Sequence, residues 1–202
     1  MKVPSSYRFY TLTDLETLCG IATKEVTDML GKIDDIAPSD ILQAVLKRNI
    51  KIPMKNEKAK SELIVMPILV EVWDKNQNYK PLSGLTFNVD AKRGLKGVCD
   101  FLISAKPDTV ELAVPVVCIF EAKDDNIENW YAQCGSEMFA ARLYNEQHQN
   151  SIQTIHGAIT NGFTWQFLKL EGQTLLIDSQ RYALANLPQL LGAIQKVYDF
   201  YK

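Results

Sequence analysis

The sequence predicts an α/β fold, a mixed β-sheet with helices packed on its faces, and three observations predict it. Apolar periodicity runs in the order helix, three strands, helix, two or three strands, helix. An interleaved order of this kind buries a sheet between helices. The dipeptide Asn161-Gly162 separates two strand-like runs and is the strongest short hairpin signal in the chain. The run Val116-Val117-Cys118-Ile119-Phe120 is unbroken and apolar, as a buried strand would be.

Each element has a local reason. Residues 11–31 read as a helix: Thr13 and Glu16 have capping-box spacing, Leu15, Leu18, Val26 and Met29 form an approximate stripe, and Gly31 is a stop. Ser39 to Arg48 predicts a second short helix capped by Ser39. Residues 1–60 are expected to be an N-terminal helical segment and basic linker, and residues 61–202 the main domain. The stretch 47–60 carries Lys47, Arg48, Lys51, Lys55, Lys58 and Lys60 against one acid, Glu57. It reads either as a solvated linker or as a phosphate-contacting patch beside the next helix. From Ser61 to Asp74, the spacing of Leu63, Met66, Val70 and Trp73 predicts a buried helix face kinked at Pro67, with a β-branched strand as the competing reading.

Three strands follow at Leu85–Asp90, Val98–Ser104 and Val114–Ala122, separated by turns at Gly94/Gly97 and Lys106-Pro107-Asp108. Residues 127–143 place Ile127, Trp130, Tyr131, Cys134, Met138 and Ala141 on one helical face. Strands at Thr154–Thr160, Thr164–Leu170 and Thr174–Ile177 precede an amphipathic helix over residues 187–202. Trp73, Trp130 and Trp165 fit apolar stripes and read as core, and Asp124 and Asp125 as solvated acids after a strand.

Composition excludes several classes. The 202 residues are 47% apolar and 23% charged, with a net charge of −2, so a bulk polycation is excluded and any nucleic-acid contact must come from local patches. No apolar run approaches the ~20 residues of a membrane span, and MKVPSSYRFYTLTD lacks a signal-peptide core. Cys19, Cys99, Cys118 and Cys134 form no CxxC pair and read as reduced thiols of a cytoplasmic protein. There is no GxxxxGK[ST], GxSxG or HExxH. His148 and His156 have no cysteine or acid at ligand spacing.

The chemistry concentrates at the end of the Val116–Phe120 run. Alternation puts Glu121 and Lys123 on one face of their strand, and an adjacent antiparallel strand can bring Asp100 beside Glu121. Two neighbouring carboxylates repel and call for a cation. Hard oxygen ligands with few other protein donors suit Mg²⁺, with Mn²⁺ as a substitute. The Ala122 carbonyl is a further candidate ligand. Lys123 would orient a metal-activated water and offset charge developing on a phosphate. The plainer alternative is a structural ion pair between Glu121 and Lys123.

Asp100 followed by Glu121-Ala122-Lys123 resembles the PD-(D/E)xK nuclease superfamily. Gly97-Val98-Cys99-Asp100, the apolar VVCIF strand, Ser61-Glu62 opening an upstream apolar helix, and Gln133 on the following helix add to the match. With Asn161-Gly162-Phe163-Thr164-Trp165, the pattern is most similar to the N-terminal nuclease domain of type I restriction motor subunits and its free-standing relatives, over residues 61–170. The resemblance implies a restriction-endonuclease-like αβββαβ core and Mg²⁺-dependent hydrolysis of nucleic-acid phosphodiester bonds, with DNA as substrate. It assigns Asp100, Glu121, Ala122 and Glu62 to the metal, Lys123 to the water, and Gln133 to positioning. Asp90 competes with Asp100 but reads better as a turn or salt-bridge residue, and Glu71 competes with Glu62. The Lys and Arg residues of 47–60, with Lys92, Arg93 and Lys96, would contact phosphates. A non-catalytic nuclease-fold module that binds nucleic acid or a partner protein is the alternative. A homodimer is also open.

Overall fold

The structure, a computed structural model, describes residues 3–105, 108–123 and 126–202. The turn expected at Lys106-Pro107, and the acids Asp124 and Asp125, lie outside them. A seven-stranded mixed sheet runs through the molecule in the order β1-β7-β6-β5-β4-β3-β2. Its strands are β1 (Ala22–Val26), β2 (Tyr79–Thr86), β3 (Val98–Ala105), β4 (Val116–Ala122), β5 (Ile155–Thr160), β6 (Thr164–Glu171) and β7 (Thr174–Ala183). The β4–β5 and β1–β7 pairs are parallel and the other four are antiparallel. This is the α/β architecture that the element order predicts.

Helices cover both faces. On one lie α1 (Leu12–Cys19) and α5 (Tyr131–Gln147), packed on Leu102, Ile119, Ile159 and Leu168. On the other lie α2 (Asp40–Asn49), α4 (Met66–Asp74) and α6 (Leu187–Asp199), packed on Phe101, Phe120, Trp165 and Phe167. Residues of β3, β4 and β6 feed both cores, so these strands carry apolar residues on both faces. Among the described residues, no helix is long and apolar enough to cross a membrane.

Several boundaries move. The helix expected over 11–31 stops at Cys19, because Gly20 takes a left-handed C-cap (φ 68°). The capping box is Thr11 with Asp14, not Thr13 with Glu16. Residues 22–26 then pair with β7 as an edge strand. The first β-strand of the central trio is Tyr79–Thr86 rather than Leu85–Asp90, with Pro81 tolerated on the sheet edge. Ser39 caps α2 as expected, accepting from Leu42 N at 3.1 Å. The helix upstream of the sheet starts earlier than Ser61. It opens as α3 (Glu57–Lys60) capped by Asn56, passes through a π-turn at Ser61–Val65, and continues as α4. The Asn161-Gly162 hairpin forms: Asn161 Oδ1 accepts from Phe163 N and Thr164 N, and Gly162 has φ 88°.

Residues 1–60 do not stand apart as a lobe. Tyr7, Tyr10, Leu15 and Ile21 join one core, and Leu30, Leu42 and Leu46 the other.

Candidate functional site

The end of β4 is built into a buried polar cluster. Phe101 pairs with Phe120 across β3 and β4, and one step further along this register Asp100 lies opposite Glu121. Asp100 Oδ2 accepts a hydrogen bond from Ala122 N at 2.9 Å. On the other side of β4, Lys123 N donates to Thr160 O at 2.7 Å, extending the β4–β5 ladder past the motif. The backbone on both sides therefore fixes the face that Glu121 and Lys123 share.

Glu121 is fully buried and its Oε2 lies 2.8 Å from Lys123 Nζ. Gln133, one turn into α5, donates from Nε2 to Glu121 Oε2 and to Glu137 Oε1, each at 3.0 Å. The ring of Trp130 covers the Lys123 ammonium at 4.5 Å, a cation–π contact that holds the charge in place. Asp100, Glu121, Lys123 and Gln133 thus come together as the sequence predicts.

Glu62 does not join them. Its carboxylate pairs with Lys58 at 2.7 Å, is largely exposed, and lines a neighbouring cleft with Asp100. The acid that the upstream helix brings to Lys123 is Glu57, at 3.8 Å. Its only sequence signal is being the single acid within a basic run. Glu71, the competitor of Glu62, is structural: it accepts from Ser39 N and Ser39 Oγ, both at 2.7 Å. Asp90 is the turn and salt-bridge residue expected, accepting from Lys92 N, Arg93 N and Arg93 Nε. Arg93 is thereby engaged with Asp90.

Three further residues were not marked by the sequence reading. Glu137 is wholly buried on α5. Trp130, half-buried and packed against the core as expected, also lines the cleft. Tyr7 forms part of the opposite wall.

The electrostatics follow from burial. Loss of solvent, then the charge of Glu121, raises the Asp100 carboxyl to about 7, against the opposing pull of Lys123 and the Ala122 N–H. Burial works against the Lys123 charge, but Glu121, Asp100 and Glu57 outweigh it and hold the ammonium above its ordinary range. Burial first, then the charge and hydrogen bonding of Glu121, push Glu137 well above the carboxylate range. These influences favour the neutral form of Glu137. Among the described residues, Glu121 Oε1 and Glu137 Oε2 have no hydrogen-bond partner, a cost in a buried site.

The donor set fits a hard cation with an incomplete protein shell. Among the described residues, no group of three or more His, Cys, Asp and Glu is placed to hold a metal. A structural zinc or calcium cage is thus unsupported. Mg²⁺ asks for less, commonly one or two carboxylates with the remaining positions filled by water and phosphate. Glu121 Oε1, without a hydrogen-bond partner among the described residues, and Asp100 opposite it on β3 are the features that suit such an ion.

The cleft over these groups has a volume of about 310 Å³, between Ser6–Arg8 on one wall and Trp130 on the other. Cys99, Cys118 and Cys134 are buried free thiols and Cys19 a half-buried one. His156 is buried with Nδ1 2.7 Å from the Tyr201 hydroxyl, and His148 lies against Tyr144, so neither joins the cluster. Compared with protein-family models and with curated proteins, the chain matches none.

Proposed function

We propose that the protein is a Mg²⁺-dependent nuclease of the PD-(D/E)xK type, hydrolysing nucleic-acid phosphodiester bonds, with DNA as substrate. The observation that carries the reading is that Asp100, Lys123 and Gln133 line a cleft, with Glu121 buried behind them and held by Lys123 and Gln133. Asp100, Glu121 and the Ala122 carbonyl would hold the cation, which when bound supplies charge stabilisation and acidifies a coordinated water. Lys123 is placed to orient the attacking water and to offset the charge that develops on the phosphate. Gln133 keeps Glu121 in one orientation. Lys51, Lys55, Lys58 and Lys60, in the segment that carries Glu57, would contact flanking phosphates.

One observation favours a second reading. Lys123 already neutralises Glu121, and a closed buried ion pair is also what a non-catalytic nuclease-fold module, binding nucleic acid or a partner protein, would retain. Cleavage of plasmid and single-stranded DNA with Mg²⁺ or Mn²⁺ separates the two. Lys123→Ala should keep metal binding and DNA affinity while cleavage falls by roughly two orders of magnitude or more. Calorimetric titration with Mn²⁺ should show binding by the wild type that Asp100→Ala loses. Equal, low cleavage by wild type, Lys123→Ala and Glu121→Ala would sink the enzyme reading.

A further inference from the structure

Two clefts meet at the carboxylates. The first is the one between Ser6–Arg8 and Trp130, with Lys123 and Gln133 at its base. The second, of about 220 Å³, is lined by Lys58, Ser61, Glu62, Ser83 and Gly84. Asp100 and Glu57 border both. The two clefts thus share an edge at Asp100 and Glu57, and a strand laid over that edge would run from one into the other as along a track.

We propose that this track takes one unpaired nucleic-acid strand, so that the substrate is single-stranded and not a continuous duplex. The inference rests on reading the cleft as a phosphodiester site. The reactive groups lie deep: Glu121 is wholly buried, and Lys123 and Gln133 are 6% and 7% exposed. The wall above them does not swing freely. Tyr7 N donates to Lys96 O at 3.1 Å and the Tyr7 hydroxyl donates to Phe87 O at 2.8 Å. The Tyr7 ring sits so close to Gly97 that a Cβ there would be 3.0 Å away. A base-paired strand is stiff and keeps its bases turned inward, whereas an unpaired strand bends into a narrow groove and offers its bases for stacking.

The walls supply the matching chemistry. Arg8 is exposed on one side and the Trp130 ring lines the other, so a cation and an aromatic flank the track. That pairing binds single strands with little regard to sequence. Beyond Asp100, the hydroxyls of Ser61 and Ser83 offer phosphate contacts, and Lys58, paired with Glu62, lies alongside them.

The test is equilibrium binding in EDTA, where nothing is cut, followed by fluorescence anisotropy. The probes are a labelled oligothymidylate of roughly 20 nucleotides, longer than one binding site, and a duplex of the same length. The single strand should bind at least about tenfold more tightly. Trp130→Ala and Arg8→Ala should each weaken it about fivefold or more, the lower end of what one stacked base contributes, with duplex binding unchanged. Trp130→Phe should keep most of the affinity. If Trp130→Ala loses its folding transition, Arg8→Ala decides, because its side chain is exposed. Equal or tighter duplex binding, or unchanged single-strand affinity in both alanine variants, would overturn the inference. Preferential single-strand binding by a protein that cuts nothing would remove the nuclease reading and leave this one standing.

Discussion

Asp100 is held between opposing influences, and its titration has a definite sign. Burial and Glu121 raise its carboxyl to about 7 from an ordinary 3.8. Between those values the folded protein binds a proton that the unfolded chain releases. The contribution to stability is therefore complete at the acid end and is lost as pH rises through about 7. Glu137 is displaced in the same direction. Metal-free wild type should lose thermal stability between about pH 4 and 7. Asp100→Asn keeps an acceptor for the Ala122 N–H, should flatten that slope, and should be more stable at pH 8 by roughly 1–3 kcal/mol. Identical slopes in calorimetric melts would mean that Asp100 is better solvated than its surroundings imply. The residues of this cluster were legible to different degrees. Glu121 and Lys123 were readable because strand alternation fixes a shared face, and Asp100 because the neighbouring strand follows a glycine turn. Glu137 was not. Helix α5 is buried continuously from Ala132 to Arg142, so it lacks the polar stripe that would separate an inward acid from a solvated one. Trp130 follows an apolar stripe in sequence, and only the fold turns it toward Lys123.

The upstream helix shows how one residue's chemistry reaches another element. Pro67 has no N–H to give to the carbonyl four residues back, that of Leu63. Asn49, the last residue of α2, donates to Leu63 O from Nδ2 at 2.8 Å. The defect introduced by Pro67 thus becomes a tether between α2 and the π-turn, and that turn precedes the helix segment on which Met66, Ile68, Leu69 and Val72 pack. Asn49→Ala should destabilise the protein by about 1–2 kcal/mol, the cost of leaving such a carbonyl without a partner. The urea midpoint should fall with an unchanged slope. An unaltered midpoint would show that water replaces the amide. A kink at Pro67 was readable from sequence. Its partner was not, because Asn49 lies 14 positions away and looks like a helix-ending residue. Strand β1 was unreadable for a related reason. Ala22–Val26 is mostly exposed and lacks apolar alternation, so its identity comes from pairing with β7. The central strands, covered on both faces, announced themselves through apolar runs.

The molecule as a whole depends on residues that sequence composition assigns to a separate N-terminal segment. Leu15 packs directly over Gly135 of α5, where a Cβ would approach its Cδ1 to 2.9 Å. Gly192 of α6 meets the backbone of Asp34 still more closely, with a Cβ position 2.3 Å from Asp34 O. Both helix glycines are thus seats for the N-terminal chain, one on each side of the sheet. Tyr7, Tyr10, Leu15, Ile21, Leu30, Leu42 and Leu46 are buried in the two cores. At about 1.5–3 kcal/mol for each buried apolar side chain, their loss removes roughly as much as the 5–15 kcal/mol by which a domain of this kind is stable. The basic run that ends at residue 60 is a change in surface chemistry and not a break in the core. The full chain should therefore unfold in a single cooperative transition, with coincident melting by far-ultraviolet circular dichroism and tryptophan fluorescence. A fragment spanning residues 61–202 should show no cooperative transition of its own. It would also lack Glu57 and the Tyr7–Arg8 wall of the cleft. A fragment that melted cooperatively near the temperature of the full chain would restore the boundary at residue 60, and would make the N-terminal contacts an addition to an already folded domain.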